Sequence, residues 1–110
     1  MTDIYVGEYG RTIYVETGYD LSSATGLEIH FSAPSGGTSF VNSASVSVLA
    51  SNYTVSACGL IFSANKTIEY IVNSGDFDVA GNWKGWIEAD FGATVHLISS
   101  SFKFKASDPG

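Results

Sequence analysis

The sharpest pattern of apolar and polar positions begins at Trp83. Trp83, Gly85, Ile87, Ala89 and Phe91 fall on one side of an extended backbone, and Lys84, Trp86, Glu88 and Asp90 fall on the other. Successive side chains of a strand point to opposite faces, so this run predicts a strand with one buried and one wet face. Trp86 is the exception on the wet side. The preceding residues, NSGDFDVAGN from Asn73, are rich in Gly, Asp and Asn and predict a turn that opens into the strand.

The same alternation recurs along the rest of the chain. Asp3 to Val6 and Arg11 to Thr17 predict two half-buried strands, the second with Ile13 and Val15 inward and Thr12, Tyr14 and Glu16 outward. Gly18 to Gly26 is a connector with room for one helical turn. Leu27, Ile29 and Phe31 then alternate with Glu28, His30 and Ser32 until Pro34, which lacks a backbone donor, ends ladder pairing. Ser35 to Thr38 forms a tight reversal, and Ser39 to Asn42 returns antiparallel.

Ser45 to Leu49 sets Val46 and Val48 against Ser45, Ser47 and Leu49. Tyr53 to Ser56, Gly59 to Phe62 and Thr67 to Val72 supply further short strands. Gly92-Ala93 is a turn into a return strand over Thr94 to Lys105, which makes a hairpin with the Trp83 strand. About seven to nine short strands with turns between them predict an all-β fold, an immunoglobulin-like antiparallel β-sandwich, with a small barrel as the rival. The domain spans 1–105, and Ala106 to Gly110 is a flexible C-terminal tail.

Composition supports one sheet-rich domain. The chain has 110 residues, 45% of them hydrophobic and 14% aromatic, with only two Pro, which suffices for a single core. The formal charge of -6 repels phosphate backbones and anionic lipid, so nucleic acid and membrane surfaces are disfavoured partners. No apolar run reaches the ~20 residues of a membrane span, and the stretch MTDIYVGEYG has neither the basic nor the apolar region of a secretion signal, so no export is expected. Cys58 is a lone cysteine in the apolar run ACGLIF, which predicts a buried, inert thiol.

Candidate chemistry is sparse. Asp76 and Asp78 stand two apart in the turn, with Asn73 and Asn82 nearby, but the EF-hand calcium pattern is absent and acidic turn residues ordinarily cap backbone amides. His30 and His96 each occupy a strand position far apart in sequence, and a zinc site would need a carboxylate to join them. No nucleophile elbow or phosphate-binding loop is present. The expectation is therefore a non-enzyme with no catalytic residue, no metal and no cofactor. Charged residues make up 15% of the chain, against the ~25–35% usual on the surface of a small monomer, which predicts that a partner covers part of it. Trp86, Tyr5, Tyr14 and Tyr53 are the candidate interface anchors.

Two stretches carry a family resemblance. Asp20-Leu21-Ser22-Ser23-Ala24-Thr25 leading to Pro34-Ser35-Gly36, and Asp76-Phe77-Asp78-Val79-Ala80-Gly81-Asn82-Trp83, resemble motifs in the N-terminal domain of tailed-bacteriophage baseplate upper proteins, with Phe77 in place of the usual Leu. The resemblance implies an immunoglobulin-like sandwich with a non-enzymatic structural role in the virion, docked to other phage virion proteins in multiple copies of a symmetric assembly. The residues of that corner give the same structural reading on their own: Asp76 or Asp78 ties the turn through side-chain acceptors, Gly81 allows the reversal and Trp83 plugs the space between the sheets. The chain stops soon after its last strand, where baseplate upper proteins carry a receptor-binding extension, so the expectation is a tail, baseplate or collar adaptor or a capsid-decorating subunit. The alternative is a carbohydrate- or surface-binding module that uses Trp86 and the tyrosines for stacking. A small hydrolase ranks third and would need the scattered carboxylates to converge.

Overall fold

The computed structural model describes residues 4–55 and 59–108; Cys58, with the reading given to it, lies outside them. The described residues form eleven strands, in order: β1 (Ile4–Tyr5), β2 (Thr12–Glu16), β3 (Gly26–Ser32), β4 (Phe40–Asn42), β5 (Val46–Val48), β6 (Tyr53–Val55), β7 (Leu60–Phe62), β8 (Thr67–Ile71), β9 (Gly81–Phe91), β10 (Val95–Ile98) and β11 (Phe102–Ser107). The protein is all-β, with no helix among the described residues. The connector over Gly18 to Gly26 closes with a turn, in which the Ala24 amide donates to the Leu21 carbonyl at 3.1 Å.

The strands form two facing sheets and a separate hairpin. One sheet has the order β1-β11-β9-β3-β4, with β10 also on β9; the other is β2-β8-β5; among the described residues β6 and β7 pair only with each other. All pairings are antiparallel except β1 on β11, which is parallel. Apolar residues from both sheets close one core. Ile29 and Phe31 of β3, Trp83, Ile87 and Ala89 of β9 and Phe104 of β11 meet Ile13 and Val15 of β2 and Ile68 and Tyr70 of β8. Phe31 sits at its centre, with ring contacts to Phe40, Tyr70, Phe77, Phe102 and Phe104. Leu49, assigned by alternation to the outward set, is instead buried just past β5, where its amide donates to the Thr67 carbonyl.

The expected corner closes one end of the core. The Asp76 carboxylate accepts hydrogen bonds from the Tyr70 hydroxyl and from the Asn73 amide, the latter at 2.8 Å. Asp78 instead receives the Thr38 amide at 3.4 Å, so the two carboxylates engage separate groups. Gly81 has φ of 138°, and a Cβ there would meet the Pro34 ring at 3.0 Å. Trp83 is fully buried, and its indole N–H donates to the Val79 carbonyl at 3.1 Å.

The end of the chain differs from the expectation in two ways. The return strand is split: β10 pairs with the C-terminal half of β9 and β11 with its N-terminal half, and the register advances by one residue between Ile98↔Glu88 and Phe102↔Gly85. An extra residue in one strand is a bulge. Ser99 manages it, since its amide donates to the Ile87 carbonyl while its hydroxyl accepts the Ile87 amide at 2.9 Å. The last strand also runs through Ala106 and Ser107, two residues into the segment assigned to the tail. Ala106 is fully buried opposite Gly81.

Candidate functional site

Two separate surface features gather the polar and aromatic residues of interest. The first lies on the outer face of the β2-β8-β5 sheet. Tyr14 points away from the core because Ile13 and Val15 point into it, and the β6–β7 hairpin folds over its ring. Tyr14 stacks on Tyr53 with centroids 4.6 Å apart and on Phe62 at 5.4 Å. Partial burial raises the Tyr14 phenol pKa, and the neighbouring Tyr53 and Glu69 raise it further.

Beside this stack runs a groove of about 580 Å³, lined by Thr12, Tyr14, Glu16, Val55, Leu60 and Phe102 among others. One wall is the open edge of β2. The Arg11 carbonyl accepts from Val72 and the Thr17 amide donates to Lys66, so odd-numbered residues of β2 bond to β8. In an antiparallel ladder the alternate residues then turn their N–H and C=O groups the other way, and no described strand pairs with Thr12, Tyr14 and Glu16 on that side. On the hairpin, Tyr53, Leu60 and Ile61 are exposed at 41, 52 and 52%.

The second feature lies on the outer face of the larger sheet. His30 of β3 stands opposite Trp86 of β9, and their rings stack at 5.2 Å with planes 15° apart. Glu28 stands opposite Glu88, and His96 of β10 opposite Asp90. Glu88 is the hub: Trp86 Nε1 donates to its Oε2 at 2.9 Å, and His96 Nε2 lies 2.8 Å from its Oε1. The far nitrogen of His96, Nδ1, lies 2.5 Å from Asp90 Oδ1. The indole and the imidazole hold the Glu88 carboxyl below its usual range, while the Asp90 and Glu88 contacts push the His96 imidazole up. His30 Nε2 is 3.0 Å from Glu88 Oε2 and 3.5 Å from Glu28 Oε1. Neither contact has hydrogen-bond geometry, so this buried nitrogen has no hydrogen-bond partner among the described residues.

No protein-family model, curated protein or solved structure matches the chain.

The four anchors chosen from the sequence therefore fall in three places. Tyr14 and Tyr53 meet; Trp86 lies on the outer face of the other sheet, half-buried against His30; Tyr5, 55% exposed, belongs to the edge strand β1. They do not make one stacking platform. Sequence reasoning missed the meeting of both histidines at Glu88. The hairpin through Gly92 carried the signal for half of it, since a tight turn after Phe91 sets His96 opposite Asp90 and on the face of Glu88.

Proposed function

We propose that the protein is a non-enzymatic structural subunit of a tailed-phage virion, an immunoglobulin-like sandwich that works by docking to neighbouring virion proteins in multiple copies. The observation that carries this reading is the groove beside the open β2 edge, flanked by the exposed apolar residues of the β6–β7 hairpin. An unpaired strand edge offers a row of backbone donors and acceptors, and proteins ordinarily blunt or cover such edges. An extended segment of a neighbour can add to the sheet there, with main-chain bonds giving affinity and the groove selecting side chains. The Asp20 to Thr25 and Asp76 to Trp83 motifs supply the virion setting by resemblance. Repetition around a symmetry axis makes individually weak contacts sufficient.

Quantitative mass spectrometry of purified particles tests the assignment. The chain is expected at a fixed copy number relative to the other virion proteins, and Leu60→Asp is expected to lower its incorporation while the isolated domain stays folded. Absence from particles, or glycan binding that depends on Tyr53, contradicts it.

A further inference from the structure

We propose that Glu28, His30 and Glu88 form a binding site for a divalent first-row transition metal such as Zn²⁺, with a fourth coordination position open to solvent. One ligand atom from each of the three lies within 4.8 Å of the others. The His30 Nε2 distances of 3.0 Å to Glu88 and 3.5 Å to Glu28 bracket the ~3.3 Å donor separation that zinc bonds of ~2.0–2.2 Å impose in a tetrahedron. An imidazole with two carboxylates is a donor set that suits zinc.

Three observations converge on a cation at this point. Glu28 and Glu88 are directly opposed on neighbouring antiparallel strands, an arrangement in which like charges destabilise a sheet. The cluster itself brings three carboxylates, Glu28, Glu88 and Asp90, against two imidazoles, while the lysines of the same sheet face, Lys84, Lys103 and Lys105, lie further along β9 and on β11. The buried His30 Nε2, without a hydrogen-bond partner among the described residues, points its ligand atom at both opposed carboxylates.

The surrounding groups orient the ligands. Trp86 stacks on the His30 ring and donates its indole N–H to Glu88. On the other side, Asp90 holds His96 by Nδ1 so that its Nε2 faces Glu88 Oε1. Outer contacts of this kind fix ligand tautomer and direction at metal sites. His96 is thus a positioning residue, and Glu28, whose side chain is 47% exposed, marks the solvent side where the open position lies. The site is on a different sheet face from the groove and stands or falls independently of the docking reading.

Isothermal titration of the Cys58→Ser protein with Zn²⁺, which removes the lone thiol as a competing ligand, tests the site. One ion per chain is expected. Glu88→Gln and His30→Gln are expected to abolish that binding, whereas His96→Gln keeps the stoichiometry with affinity lowered about tenfold. Nitrogen-detected NMR of the imidazoles supplies a readout on the unsubstituted ligand set, with the His30 Nε2 resonance expected to move on Zn²⁺ addition. No binding, binding that survives both Glu88→Gln and His30→Gln, or an unmoved His30 signal overturns the proposal.

Discussion

Tyr70, wholly buried in β8, donates its hydroxyl hydrogen bond to the Asp76 carboxylate and so ties the second sheet to the corner that opens β9. Tyr70→Phe keeps the ring packed against Phe31 but leaves the carboxylate without this donor. A hydrogen bond to a charged group contributes about 1.5–3 kcal/mol, and a loss of that size is expected in a urea titration. An unchanged midpoint would show that the bond is not holding the corner.

The same contact makes a prediction in alkali. Burial, followed by the Asp76 hydrogen bond and charge, raises the Tyr70 pKa far above the usual phenol value. A raised folded-state pKa favours the protonated form, so this contribution to stability is complete below about pH 10, the unfolded value, and declines as the pH rises above it. Ultraviolet titration should show the Tyr70 tyrosinate only together with unfolding. Its ionisation in the native protein would contradict the placement of the ring.

Trp83 plugs the space between the sheets, edge-on to Phe77 with centroids 5.1 Å apart. Trp83→Ala is expected to cost ~3–5 kcal/mol, from lost burial and an unfilled cavity. Denaturant unfolding measures it, and a loss below about 1 kcal/mol would remove the indole from the core.

Gly81 and Gly92 separate backbone strain from crowding. Both have positive φ, at 138° and 66°, but a Cβ on Gly92 meets nothing within 4 Å, whereas one on Gly81 meets the Pro34 ring. Gly92→Ala should cost roughly 1–2 kcal/mol, the left-handed penalty for an L-residue, and Gly81→Ala measurably more. The reverse order of the two melting temperatures would contradict the geometry at the corner.

The elements legible in the sequence are those whose period is written in contrasting residues. From Trp83 to Phe91 apolar or small side chains alternate with charged ones, Trp86 excepted, and β9 follows that period in phase. The corner was legible because Asp, Gly and Trp each have few roles in a turn beside a core. Ser99, Ser100 and Ser101 carry no such contrast, so the bulge between β10 and β11 left no periodic trace. Ala106 is small enough to suit either a tail or a tight packing position, and only its pairing with Gly81 decides between them. The Glu28, His30 and Glu88 cluster depends on the register between β3 and β9, and the Tyr14–Tyr53 stack on a hairpin folding across a sheet face; neither is a local property of the chain.

The open edge of β2 is the centre of the functional account, and a density map of the assembled particle tests it most directly. The account predicts an extended segment of a neighbouring subunit lying along Thr12 to Glu16, bonded to the backbone of Thr12, Tyr14 and Glu16, with its side chains in the groove beneath Leu60. A map in which this edge faces solvent in every copy would contradict it.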